Sequence, residues 1–224
     1  MRKPVIAIDG YSSTGKSSIS KIIAHELGLV HLDTGALYRG ITLFALNNCT
    51  TADNQIDLPH LFRRLSEIKL EFKVINNDLV TFLNGIDISK EIRTNKISQT
   101  VSLIARQKEI RDFLMETQRA AAKNGGIIMD GRDIGTVILP DADFKFFLTA
   151  SIEERTKRRF LELQRLGIEA DEDTVMKNLT QRDKIDSERE FAPLRKADDA
   201  IVIDNSNLSK LETIQLILSH IQTF

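Results

Sequence analysis

The chain has 224 residues, enough for one sizeable core, so two independent domains are not required. A formal net charge of −1 excludes a global field that would draw the protein to nucleic acid or to an anionic membrane. Cys49 is the only cysteine, which excludes an intramolecular disulfide and suits a reducing compartment.

Pro4 to Asp9 is a short apolar run with a β-branched bias, and it predicts a first strand. A strand that begins so early leaves no room for a signal peptide, and no apolar run is long enough to span a bilayer. A cytoplasmic enzyme or switch is therefore expected. The strand runs into Gly10-Tyr11-Ser12-Ser13-Thr14-Gly15-Lys16-Ser17, which satisfies G-x-x-x-x-G-K-[ST] at every fixed position. Beyond it Ile19, Ile22, Ile23 and Leu27 recur at helical spacing. Strand, glycine-rich turn and helix together predict a phosphate-binding loop. Gly10 and Gly15 let the backbone curl so that its N–H groups face phosphate oxygens. Lys16 is placed to reach the β- and γ-phosphates, and the Ser17 hydroxyl to ligate Mg²⁺. The alternative, a glycine turn between a core strand and a core helix, accounts for neither the lysine nor the serine.

Leu29 to Leu32 predicts a second strand, followed by Asp33-Thr34-Gly35-Ala36-Leu37-Tyr38-Arg39. This segment reads equally as an anion clamp built from a hydroxyl, an aromatic ring and an arginine, or as a helix start capped by Asp33 or Thr34. Ile68 to Val74 then alternates apolar and charged residues with period two. Asn76-Asn77-Asp78 supplies a turn, Leu79 to Leu83 a second strand, Asn84-Gly85 a hairpin turn and Ile86 to Ile88 a third strand. This is a small antiparallel meander inserted into an otherwise alternating chain.

A helical pattern runs from about Leu103 to Lys123, and Gly126 to Met129 is the next strand. Asp130-Gly131-Arg132-Asp133 follows it, either as part of a site or as a solvated turn with a local ion pair. Phe144 to Leu148 is a further strand and Ile152 to Leu166 a further helix. That helix carries Arg155, Lys157, Arg158, Arg159 and Arg165 against the single acid Glu162 between 155 and 165. Its position after a strand end favours a mobile segment closing over phosphates. Arg182-Asp183-Lys184-Ile185-Asp186-Ser187-Glu188-Arg189 would place Arg182, Asp186 and Arg189 on one helical face, although charged helices are more often plain solvated surface. Ala200 to Ile203 is the last strand, Asp204-Asn205 reads as turn chemistry, and Leu208 to Ile221 is the last helix. Strands alternating with helices imply a parallel sheet covered on both faces, with ligands at the carboxyl ends of its strands.

In these motifs the chain resembles the bacterial cytidylate kinases, a family of P-loop nucleoside monophosphate kinases, over essentially its whole length. The segments D-T-G-A-L-Y-R, D-G-R-D-I-G-T and R-D-K-I-D-S-E-R, in that order with the meander between the first two, carry the resemblance. It implies a three-layer α/β P-loop NTPase fold, with the antiparallel insertion in the monophosphate-binding region and a helical lid. The expected organisation is a single domain with a core at 1–35, 103–151 and 168–224, a monophosphate-binding region at 36–102 and a lid at 152–167. The resemblance further implies transfer of the ATP γ-phosphoryl group to the 5′-phosphate of CMP or dCMP, with Mg²⁺ as cofactor; a monomer is expected, although the sequence itself does not give the oligomeric state. Thr34, Arg39 and Arg132 would hold the acceptor phosphate, and Tyr38 would pack beside it. Ser102, Arg111 and Asp133 would read the cytosine edge, and Arg182 and Asp186 would reach the ribose. Arg189 would sit near the phosphates, with Arg155, Arg158 and Arg159 in the lid. Lys16, Arg132, Arg182, Arg189, Arg155 and Arg159 form the expected catalytic group. ATP would lie against Gly10 to Ser17, Ser18 and Arg158, with Mg²⁺ on Ser17 and, through water, on Asp130. The chain departs from common family usage at Thr34, at Ser18 and in the loop interior Tyr11-Ser12-Ser13, without removing a fixed P-loop group.

The chemistry agrees with this residue set. An acceptor phosphate with a second pKa of about 6 is already largely deprotonated, so no general base is required. The difficulty is bringing two polyanions into line, which favours arginines, one lysine and a divalent cation over a histidine dyad. Cytosine presents an N4 amino donor where uracil presents an acceptor, and a carboxylate at Asp133 suits the donor. UMP or another small acceptor is the alternative within the same class. A GTPase-type switch would need N-K-x-D, and Asn95-Lys96-Ile97-Ser98 lacks the aspartate. A nucleic-acid-associated ATPase is disfavoured by the balanced charge and by two tyrosines with no tryptophan.

Overall fold

Val5–Gly10 is buried at every position, a pattern that belongs to the middle of a sheet covered on both faces. In the computed structural model, which describes residues 2–75 and 78–221, this segment is β1. It is followed by α1 (Lys16–Leu27), β2 (Val30–Asp33), α2 (Thr34–Asn48), α3 (Leu58–Arg63) and the meander β3 (Leu70–Ile75), β4 (Asp78–Leu83) and β5 (Ile86–Asp87). Then come α4 (Asn95–Ala105), α5 (Lys108–Ala122), β6 (Ile127–Gly131), β7 (Phe144–Thr149), α6 (Ile152–Arg165), α7 (Glu172–Glu188), β8 (Ile201–Asp204) and α8 (Lys210–Ile221). The turn residues Asn76 and Asn77 lie outside the described residues. No helix among the described residues is long and apolar enough to cross a membrane.

The chain divides into two compact units, Met1–Leu32 with Ala121–Phe224, and Asp33–Ala120. A five-stranded sheet of order β2-β6-β1-β7-β8 runs through the fold, with β1 parallel to both β6 and β7, and β7 parallel to β8. The strand period of two sends Ile6 and Ile8 to one face, where they join Ile19 and Ile23 of α1 and Ile214 and Ile217 of α8 in one apolar cluster. It sends Asp9 to the other face. The register pairs Ile8 with Asp130 and Asp9 with Gly131, so the carboxyl ends of β1 and β6 are level.

In the second unit, Leu37, Ile41 and Phe44 of α2 and Ile104, Ile110 and Leu114 of α4 and α5 are buried together with Leu83 and Ile88 of the meander. The alternation seen in the sequence is used as expected: Ile68 is buried, and Leu70 and Phe72 pack on this core. Asn84 and Gly85 both have positive φ, 50° and 82°, and Leu83 pairs with Ile86, which makes a tight two-residue hairpin. Gly40 lets α2 approach the meander, because a Cβ there would lie 2.6 Å from Leu70 Cδ2.

Two expectations need correction. The helix expected from Leu103 to Lys123 is two helices broken at Arg106 and Gln107. Leu103 belongs to α4 and is exposed, so its place in an apolar stripe was coincidental. Arg189 does not continue the face of Arg182 and Asp186: it is the residue beyond α7, with extended backbone at φ −64°, ψ 142°.

Candidate active site

The residues singled out in the sequence gather in each unit separately. In the first unit, Gly10 (φ +144°) must be glycine, because a Cβ would fall 2.0 Å from the Leu148 carbonyl oxygen on β7. The loop then turns through Ser13 (φ 61°) and Gly15 (φ 89°) into α1. Asp57, Thr94, Ser151 and Asp171 each cap a helix with a side-chain oxygen. The start of α1 has no capping side chain and no acidic residue in its first turn. Its N–H groups and the positive end of its dipole are left to serve an anion. Within the loop, Thr14 Oγ1 donates to the Tyr11 carbonyl at 3.0 Å, and Ser18 Oγ to the Gly15 carbonyl at 3.0 Å.

Lys16 is buried and donates to the Tyr11 carbonyl at 2.5 Å. Burial pushes its ammonium well below the ordinary lysine range, and the Arg132 charge adds to this against the opposing pull of Asp130, Asp9 and Asp183. A lysine and an arginine crowded in low dielectric form a site that an anionic ligand relieves. Ser17 Oγ donates to Asp130 Oδ2 at 2.7 Å, and His31 Nε2 lies 2.6 Å from Asp130 Oδ1.

Arg132 Nη2 donates to Ser12 Oγ at 2.9 Å, and its Nε to Asp186 Oδ2 at 3.0 Å. Burial works against both charges, but each outweighs it for the other. Asp186 is held below the usual carboxylate range by Arg132, Arg189 and Arg182, and Arg132 is held above its own by Asp186, Asp183 and Asp130. Arg189, also buried, donates to the Ala192 carbonyl at 2.6 Å and lies 3.5 Å from Asp133 Oδ1. The five positions Arg132, Asp133, Arg182, Asp186 and Arg189 are thus linked in one network through the buried Asp186 and Asp133, with Arg132 and Arg182 half-buried.

Arg155 and Arg158 of α6 lie against the phosphate-binding loop. Arg155 is buried, donates to the Ser12 carbonyl at 3.3 Å, pairs with Asp183, and holds its guanidinium 5.2 Å from the Tyr11 ring centre. Tyr11 also meets Phe147 edge-on at 5.8 Å. Arg158 donates to the Asn205 side chain at 3.0 Å and to its carbonyl at 2.8 Å, while Asn205 Nδ2 donates to the Thr14 carbonyl at 2.9 Å. Arg159 pairs with Glu162.

In the second unit, Asp33 occupies the N-cap position of α2 but makes no capping bond there. Its Oδ2 lies 3.4 Å from Arg39 Nη1 instead. Thr34 and Ser102 are buried, and the Arg111 guanidinium lies 5.3 Å from the centre of the Tyr38 ring while donating to the Ala105 carbonyl at 3.0 Å.

Four residues of the first unit escaped sequence reasoning. Asp9 accepts from two backbone N–H groups, His31 holds Asp130, Asp183 pairs with Arg155 beside the loop, and Asn205 ties Arg158 to it. Only their positions at or just beyond strand ends, or inside a charged segment, could have raised them. Asp204, by contrast, does make a turn, accepting from the Ser206 N–H at 2.9 Å.

The parallel sheet, the Gly10–Ser17 loop and the Ser17–Asp130 pair define a P-loop nucleotide-binding protein. A model of the cytidylate kinase family matches residues 6–223, and the chain belongs to that family. A cytidylate kinase of Bacillus cereus is 43% identical over 214 residues, which is 96% of this chain and 94% of the relative. One of Bacillus thuringiensis is 43% identical over 213 residues, covering 95% and 93%. Among solved structures, a shikimate kinase from Bacteroides thetaiotaomicron aligns with a TM-score of 0.50 at 10% identity over 98% of both chains. An uncharacterized protein from Eubacterium ventriosum aligns with a TM-score of 0.52 at 15% identity over 99% of both. At such identities these two describe the fold.

Proposed function

We propose that the chain transfers the γ-phosphoryl group of ATP to the 5′-phosphate of CMP or dCMP, giving ADP and CDP or dCDP. The observation that carries this reading is Arg132, a half-buried arginine seated by Ser12 directly against the phosphate-binding loop and oriented by Asp186. A loop that takes one polyanion beside an arginine fit for a second is the arrangement phosphoryl transfer between nucleotides requires.

On this reading the loop N–H groups and Lys16 hold the β- and γ-phosphates, with Ser18 and Arg158 on the donor side, and Arg155 and Arg159 on the lid, residues 152–167. Arg132 takes the acceptor phosphate, as do Thr34 and Arg39, with Tyr38 packing beside it. Asp133, Ser102 and Arg111 read the base, Arg182 and Asp186 the ribose, and Arg189 neutralises charge near the phosphates. Residues 36–102, read as the monophosphate-binding region, fall within the second unit. The donor set fits Mg²⁺: a hydroxyl and a carboxylate are hard oxygen ligands. Among the described residues there is no group of three or more His, Cys, Asp or Glu that would form an all-protein cage, and Mg²⁺ rarely uses one. Ser17 would hold the ion directly and Asp130 through water, and the ion would neutralise charge on the transferring phosphates. The buried lone Cys49 suits a cytoplasmic setting, with a monomer as the working assembly.

The test is a coupled ADP-release assay across CMP, dCMP, UMP, AMP and shikimate. CMP and dCMP are expected to give the highest kcat/KM, and a better acceptor elsewhere in the series would overturn the reading.

A further inference from the structure

Asp9 stands one residue before the phosphate-binding loop and is 4% exposed. Its side chain points to the sheet face opposite the α1 and α8 core, beneath a single π-helical turn, Ile134–Ile138. Such turns are rare and are found frequently at functional sites. Asp133, the residue just before it, has φ −145°, ψ 26°, and its side chain makes no capping bond to the turn. Two N–H groups at the start of the turn, which have no partner within it, are taken by Asp9: Ile134 N–H donates to Oδ1 at 2.8 Å and Gly135 N–H to Oδ2 at 2.7 Å. Gly135 makes room for this, since a Cβ there would lie 3.4 Å from Asp9 Oδ2 and 3.2 Å from Lys145 Cδ.

We propose that Asp9 is the positioning residue for Asp133: by capping the turn from β1 it sets the backbone on which Asp133 presents its carboxylate, and so acts on acceptor-base selectivity from the donor side of the sheet. The proposal rests on the CMP kinase reading above. Two bonds reach the chain at the residues immediately after Asp133, and none that Asp9 makes reaches Arg132. The effect is therefore directed at the base rather than at the acceptor phosphate. Burial raises the Asp9 carboxyl to about 7, against the two N–H bonds that favour its ionised form and with the Asp133 charge pushing the same way as burial.

The experiment uses the full chain and the variants Asp9→Asn, Gly135→Ala, Asp133→Asn and the double variant Asp9→Asn/Asp133→Asn. An amide at position 9 accepts one N–H and turns its own N–H₂ against the other. Asp9→Asn should raise KM for CMP about tenfold, leave KM for ATP within about twofold, and narrow the ratio of kcat/KM for CMP over UMP. The double variant should have the same CMP-to-UMP ratio as Asp133→Asn alone, because both changes act through one carboxylate. Hydrogen exchange at the Ile134 and Gly135 amides should accelerate in Asp9→Asn, a readout independent of turnover. Gly135→Ala should shift the CMP-to-UMP ratio in the same direction by a smaller factor, and it decides the matter if Asp9→Asn fails to fold. An unchanged ratio in the folded variants, equal rises in both KM values, or full additivity in the double variant overturns the role of Asp9. Failure of the wild-type chain to phosphorylate CMP would instead overturn the functional reading, and the role built on it.

Discussion

Ser17 and Asp130 share a hydrogen bond of 2.7 Å between a hydroxyl at the start of α1 and a carboxylate at the end of β6. The other oxygen of that carboxylate is fixed by His31. On the proposed reading this pair would hold Mg²⁺, and His31 would orient its carboxylate as outer groups orient metal ligands.

Asp130→Asn is therefore expected to raise the Mg²⁺ concentration for half-maximal rate about 10–100-fold, and Ser17→Ala to do so at least as strongly. Initial rates against free Mg²⁺ at saturating ATP measure it, with Mn²⁺ binding to the ATP-loaded protein as a second readout. A half-saturation point unchanged in both variants would remove the pair from metal binding.

Lys16→Ala should lower kcat by about a thousandfold or more while leaving CMP binding, followed by titration calorimetry, within about twofold. Lys16 is bonded within its own loop, to the Tyr11 carbonyl, so its loss should spare the network around Arg132 and Asp186. Equal losses in CMP affinity and rate would contradict that separation.

Arg132→Lys keeps the charge but not the fork that serves Ser12 and Asp186 together. We expect KM for CMP to rise about tenfold or more, and stability to fall by about 1–3 kcal/mol because the buried Asp186 loses its closest partner. Urea denaturation of the variant and acceptor kinetics measure the two effects separately.

Asn205→Ala removes the side-chain bond to the Thr14 carbonyl and one of those to Arg158. A destabilisation of about 1–3 kcal/mol is expected, with KM for ATP raised several-fold and KM for CMP unchanged. A change confined to KM for CMP would place Asn205 outside the donor site.

The Asp9 carboxyl sits at about 7 in the folded chain and near 4 in an unfolded one, so the folded state holds more protons between these values. Its contribution to stability is complete below pH 4, is lost as pH rises to about 7, and is flat above. The limit is about 4 kcal/mol. The difference in Tm between wild type and Asp9→Asn should therefore shrink from pH 5 to pH 8; a constant difference would show that Asp9 does not titrate there.

The P-loop, the antiparallel meander and the alternation of strands and helices were legible because each rests on local rules: glycine where φ is positive, period two in β3, an Asn-Gly turn at 84 and 85. Residues at strand ends were harder. Arg132 and Asp133 could be nominated from their place after an apolar run, but their ion pairs with Asp186 and Arg189 come from a helix end more than 50 residues away. The continuous helix expected from Leu103 to Lys123 failed for a related reason, since an exposed Leu103 fits an apolar stripe as well as a buried one does.

By itself the sequence determined that a strand, a glycine-rich turn and a helix would form a phosphate-binding loop, because those requirements are met by neighbours along the chain. Only the tertiary structure decided which ordinary side chains would serve that loop. Asp9, His31 and Asn205 find their partners 125, 99 and 191 residues away, at Ile134, Asp130 and Thr14. Parallel strands bring their carboxyl ends level, and that register gives an aspartate, a histidine and an asparagine with no motif of their own a fixed place beside the loop.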